Sequence, residues 1–175
     1  MLDFEVVWAV RSFVERGGDV LLAIAFVTAA MWTLIIERYV YFRIAFPKER
    51  QEILERWAAR SEHSSWYAHQ VRRMLVSEVR LKLESRLSLI KTAVALCPMF
   101  GLLGTVTGMI EVFDVMAVSG SGNARGMASG VSKATLPTMA GMVAALSGML
   151  FSIQLVRNAR SETESVASNL ELQRG

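Results

Sequence analysis

Few side chains in this sequence could carry covalent or metal chemistry. Cys97 is its only cysteine, which excludes an intrachain disulfide and a thiolate metal cage. The two histidines, His63 and His69, lie in a polar stretch with no further ligand cluster, and no Ser-His pairing is present. No catalytic residue, metal or cofactor is therefore expected, and an enzyme is the least favoured class. What remains is hydroxyls and a few charges set in apolar sequence, of which Thr105 and Thr138, Glu111 and Lys133 stand out. A hydroxyl there either bonds back to its own helix carbonyl or lines a route for something polar. A charge there calls for a partner.

The elements that position these residues are apolar helices. The 175 residues are 53% hydrophobic and only 20% charged, a balance that points to a membrane protein. Runs long enough to cross a bilayer occur at Val20 to Ile36, at about Thr92 to Val118 and at Gly130 to Val156. An all-α integral membrane protein with three transmembrane helices and long cytoplasmic helical extensions is expected. Its divisions are an external amphipathic helix over 1–18, spans over 19–36, 92–118 and 130–156, a cytoplasmic helical region over 37–91, an external loop over 119–129 and a cytoplasmic tail over 157–175.

Orientation follows from Lys and Arg outside the spans. Residues 37–91 hold 12 of the 19, the tail three, the N-terminal arm two and the loop only Arg125. Concentration of these residues on the cytoplasmic side places 37–91 and the tail inside, and the N-terminus and the 119–129 loop outside. Asp3 and Glu5 stand where a secretory signal needs positive charge, so the N-terminus is expected to be retained. Phe4, Val7, Trp8 and Phe13 alternate with charges before Gly17-Gly18, which suggests an interfacial helix; a frayed extension of span one is the alternative. Within 37–91 one helix is expected over Glu49 to Arg60. Another runs from near Trp66, without Gly or Pro, into span two. Glu78 and Glu84 among its basic residues favour a solvated face over a nucleic-acid patch.

Small residues mark the packing faces: Gly101, Gly104 and Gly108 in span two, and Gly141, Ala145 and Gly148 in span three. Thr105 and Thr138 lie on these faces, with Pro137 freeing backbone polarity beside Thr138. With the two Thr at one depth, Glu111 and Lys133 lie roughly 9 and 7.5 Å farther toward the outside at 1.5 Å per residue. An ion pair between them, within or between subunits, would fix the register of the two spans. The alternative is Lys133 reaching the outer headgroups, with Asp114 as its other possible partner.

Pro98, GLLGTVTG at 101–108, and GVSKATLPTMAG at 130–141 followed by MVAALSG together resemble the paired signatures of the MotA/TolQ/ExbB proton channel family. Span one ending in Glu37-Arg38-Tyr39 with Tyr41-Phe42 is a weaker third element. The small size and three spans resemble an ExbB-like, TonB-linked member. The resemblance implies a homo-pentamer in the bacterial inner membrane around an ExbD-like single-span partner carrying an intramembrane Asp. Thr105 and Thr138 would be its pore hydroxyls, and proton flow would energise a TonB-like protein for outer-membrane uptake. Where the family often has Glu near the start of span three, this chain has Lys133. A TolQ-like envelope role or a non-conducting membrane scaffold are the competing readings; contacts with membrane lipid are implied by all three, and nucleic acid by none.

Overall fold

A computed structural model describes residues 2–60, 62, 65–119 and 124–170. They form helices throughout: α1 (Leu2–Val40), a short wide-turn segment (Tyr41–Ala45), α2 (Phe46–Ala58), α3 (Trp66–Glu84), α4 (Leu87–Ser119) and α5 (Ala124–Asn169). Among the described residues, three stretches are long and apolar enough to cross a membrane, within Gly18–Ala58, Trp66–Val118 and Gly126–Asn169. In hydrocarbon a spanning backbone must satisfy its own polar groups, and a helix does so within one segment. The amphipathic face expected for the N-terminal arm, His63 and loop residues 120–123 lie outside what is described.

Several boundaries differ from the sequence reading, each for a local reason. Gly18 alone interrupts α1, with φ 67° and ψ −169°. A side chain placed on it would meet no atom within 4 Å, so conformation and not crowding calls for glycine there. The helix expected to begin at Glu49 instead starts at Phe46 and continues directly from span one. Pro47 sits in its first turn, and the Phe46 N–H reaches back five residues to the Tyr41 carbonyl. The widened turn passes a proline, which lacks an N–H, into a helix without a break. The helix expected to run unbroken from Trp66 into span two is divided at Ser85 and Arg86, the latter at φ 64°. The loop expected over 119–129 is shorter, because α5 already begins at Ala124, and α5 extends through most of the expected tail to Asn169.

The residues group into two compact units. The first comprises 1–32 and 91–149, the second 33–90 and 150–175. In the first, the buried positions of α4 are Cys97, Gly101, Gly104, Gly108 and Val112, and those of α5 are Gly130, Ala134, Pro137, Gly141, Ala144 and Gly148. Steps of three and four give each helix one stripe of mostly small residues. The stripes run antiparallel, with Gly101 against Thr138, Gly104 against Pro137, Gly108 against Ala134 and Gly130 against Val112. Ala145 is only half-buried; the stripe steps three residues from Gly141 and takes Ala144 instead. Met31 and Val94 close over Gly148, while Val20 of α1 lies beside Gly104.

The second unit buries Ile35, Phe46, Ile53 and Trp57 with Leu75, Val79, Leu83, Leu155, Val166 and Leu170. Arginines finish its helices. Arg72 donates from Nε to the Leu170 carbonyl at 2.8 Å and from its terminal nitrogen to the Ala167 carbonyl at 2.6 Å. The last carbonyls of α5 thus gain the donors that a helix C-terminus lacks.

A methyl at Gly108 would lie 2.6 Å from the Ala134 Cα, and one at Gly141 2.5 Å from the Cys97 carbonyl oxygen. Backbone cannot yield as a side chain can. Gly108→Ala and Gly141→Ala are each expected to destabilise the fold by about 1–3 kcal/mol, read as a lowered thermal midpoint in detergent, whereas Ala145→Gly should change it far less.

Candidate functional site

The hydroxyls of the apolar helices divide into two kinds. Thr28, Thr105, Thr107, Thr135 and Ser147 each donate to a carbonyl three or four residues earlier in their own helix; for Thr105 that acceptor is Leu102, at 2.6 Å. Thr138 instead crosses between helices and donates to the Gly101 carbonyl at 3.0 Å. The crossing is possible because Gly101 has no side chain; a Cβ there would stand 3.0 Å from the Thr138 Cα. One hydrogen bond therefore joins the two glycine-bearing stretches across their contact. Thr105 is half-buried, four residues beyond Gly101 on α4. The two Thr single out different local roles: Thr105 satisfies itself, and Thr138 ties two helices together.

Toward the other end of the same stripe, Lys133 donates from Nζ to Glu111 Oε2 at 2.8 Å. The pair links α4 and α5 within one chain. Asp114, three residues further along α4, is exposed. A cavity of about 160 Å3 adjoins the pair, lined also by Asp19, Thr107 and the bare backbones of Gly104 and Gly108. This end of the first unit is thus polar within an otherwise apolar bundle. With the side chains 53% and 36% exposed, the pair's net strength depends on what surrounds it: modest in water, larger in hydrocarbon.

A second constellation was missed by the sequence reading. Arg38, only 4% exposed, donates to the carbonyls of Lys82, at 3.1 Å, and Ser85, and its guanidinium lies 4.9 Å above the Tyr41 ring. These are the carbonyls that α3 leaves open at its end. Beside it Arg86 pairs with Glu37 at 2.6 Å. The Glu-Arg dipeptide after span one thereby holds the break between α3 and α4. Tyr41 donates to Glu49 at 3.0 Å. Burial first, then this hydrogen bond, raises its phenol above the usual value, so it stays a donor at neutral pH. The signal in the sequence was a charged dipeptide directly following an apolar run, with nothing local to say which carbonyls it would reach.

Two outcomes test these contacts. Arg86 occupies a left-handed backbone conformation that costs a residue with a side chain roughly 1–2 kcal/mol. Arg86→Gly should therefore lose the Glu37 pair yet keep a thermal midpoint close to the parent's, while Arg86→Ala falls lower; an Ala variant more stable than the Gly variant would show that backbone conformation is not limiting. For the other pair, Glu111→Gln and Lys133→Gln should each lower stability in lipid, and the Glu111→Lys/Lys133→Glu exchange should recover part of the loss. An exchange as damaging as the two single changes added together would mean that the pair does not hold the helices in register.

Comparison with known proteins adds the remaining findings. A model of the MotA/TolQ/ExbB proton channel family matches residues 47–168, more than two thirds of the chain and including both glycine-bearing stretches. The chain is 39% identical over 90 residues to "Putative biopolymer transport protein ExbB-like 1" of Synechocystis sp., covering 48% of this chain and 35% of that protein. It is 35% identical over 66 residues to "Putative biopolymer transport protein ExbB-like 3" of the same organism, covering 37% and 31%. The matched regions span about a third of the length of these curated relatives.

Proposed function

Because the chain belongs to the MotA/TolQ/ExbB proton channel family, as an ExbB-like member, we propose that it is the ring-forming subunit of an inner-membrane complex that uses proton flow to energise a TonB-like protein for outer-membrane uptake. In this reading five copies surround the single transmembrane helices of an ExbD-like partner whose intramembrane Asp takes up and releases the proton. The N-terminus faces the periplasm and the C-terminus the cytoplasm. The ExbB-like relatives favour this reading over a TolQ-like one.

The observation that carries it is the Thr138 bond to Gly101, made inside the region that the family model matches. A hydroxyl that has donated its hydrogen keeps its oxygen lone pairs as acceptors. Thr105 and Thr138 have both done so. Such oxygens can accept a hydrogen bond from a protonated carboxylic acid or from water, without themselves ionising or retaining the proton. That suits a wall against which a partner's carboxyl is protonated and deprotonated. Thr138 has a second duty in holding span two against span three, so its loss should cost more than that of Thr105.

The test is proton flux in vesicles carrying the chain with an ExbD-like partner. Thr138→Val should lower flux by about tenfold, the value of one hydrogen bond of ~1.4 kcal/mol, Thr105→Val should lower it less, and the two Ser replacements should stay near the parent. Parental flux in a fully assembled double Val variant would remove both hydroxyls from the proton route.

A further inference from the structure

Within the second unit, the ends of span one and span three line an open cavity of about 300 Å3. Its height relative to the apolar runs is fixed by the helix rise. Tyr39 and Arg43 lie roughly 4.5 and 10.5 Å beyond Ile36, and Asn158 and Glu162 roughly 3 and 9 Å beyond Val156. The polar layer on each side of a hydrocarbon core is of the order of 5–7 Å thick. The near edge of the cavity, at Tyr39 and Asn158, therefore lies at the level of lipid headgroups, and Arg43 and Glu162 reach a few ångströms beyond it. Nothing in the proton-channel reading uses it.

The lining is chemically two-sided. Arg43 donates to the Tyr39 hydroxyl at 3.1 Å, with its guanidinium 5.5 Å from the ring centre. That contact takes one of the guanidinium's five N–H donors and leaves the others to meet an anion. The amides of Gln154 and Asn158 add neutral donors on the α5 side. Against these stands one carboxylate, Glu162. Arg50 lies 3.8 Å from it, too far for a good hydrogen bond, and Arg50 also donates to Ser165 at 3.0 Å, so Glu162 keeps capacity to accept. The Tyr39 and Phe42 rings supply faces that attract cations. A wall with one cation, one carboxylate, amides and aromatic faces does not match a simple anion. It matches a group carrying both charges.

We propose that this cavity binds the headgroup of a zwitterionic phospholipid, with the phosphate on Arg43, Gln154 and Asn158 and a primary ammonium on Glu162 and the neighbouring rings. The exposed Ile36, at the end of the apolar run, offers apolar surface to the acyl chains. The occupant is thus a membrane lipid, with phosphatidylethanolamine the simplest lipid bearing both groups. This inference rests on the cavity's lining and on its depth beside the apolar spans, and it stands or falls separately from the proton route.

Lipid retention by the intact complex, purified in detergent and measured by native mass spectrometry, tests it with phosphatidylethanolamine, phosphatidylglycerol and soluble glycerophosphoethanolamine as probes. Phosphatidylethanolamine should be retained over phosphatidylglycerol. Arg43→Gln should weaken retention of both lipids by about tenfold, and Glu162→Gln should abolish the preference between them. Asn158→Leu provides the same reading as Arg43→Gln if the arginine variant assembles poorly. Equal retention of the two lipids by the parent, unchanged retention in Arg43→Gln and Asn158→Leu, or displacement of the lipid by the soluble headgroup at equal concentration would each overturn the assignment.

Discussion

The approach of spans two and three is governed by what their facing stripes lack. Gly101, Gly104 and Gly108 present backbone to Thr138, Pro137 and Ala134; a carbon added at Gly104 or Gly108 would collide with a proline ring or with backbone, and one at Gly101 would be tight. In a bilayer, burial from water adds little once helices are inserted, so contact of this kind must come from dispersion and from the few available hydrogen bonds. Both depend on backbone distance. The Thr138 hydroxyl reaches Gly101 only because no side chain intervenes. The antiparallel alignment that seats Pro137 over Gly104 also brings Lys133 level with Glu111. Packing, hydroxyl bonding and ion pairing in the first unit are thus consequences of one spacing.

The second unit is held differently. Its helices end on arginines whose donors fill open carbonyl positions, Arg38 at the end of α3 and Arg72 at the end of α5. Each is a cation at the negative pole of a helix, where dipole and unpaired acceptors act together. Arg38 is the more exacting of the two, because it is buried and stacked on Tyr41. Both bonds leave from one terminal nitrogen, so a lysine could supply the charge and the donors but not the planar face that lies on the Tyr41 ring.

How much of this was legible in the sequence depends on the range of the interaction. The three spans and the small-residue stripes are local patterns, visible as apolar length and as glycines three or four apart. Choosing Ala144 over Ala145 already required knowing the partner surface. The division at Ser85 and Arg86 was not legible, because neither residue is a helix breaker and its cause is Arg38, 47 residues from Ser85. The unbroken passage through Pro47 was equally hidden, since a proline ordinarily argues for a boundary and the widened turn that absorbs it has no composition of its own. Thr105 and Thr138 are the same residue type in similar surroundings. Only the neighbouring helix decides that one bonds to itself and the other across a gap.

Gly18 carries a constraint of another sort. The space around it is open, so what excludes other residues is handedness: with φ 67° and ψ −169° its backbone is close to the mirror image of an ordinary extended residue. An L-alanine would be strained there, whereas a D-alanine would fit the torsions. The corner at the head of span one is in this sense enantiomeric. Among the twenty encoded residues glycine meets it because it is achiral, and enlarging the surrounding space by mutation elsewhere would not relax the demand.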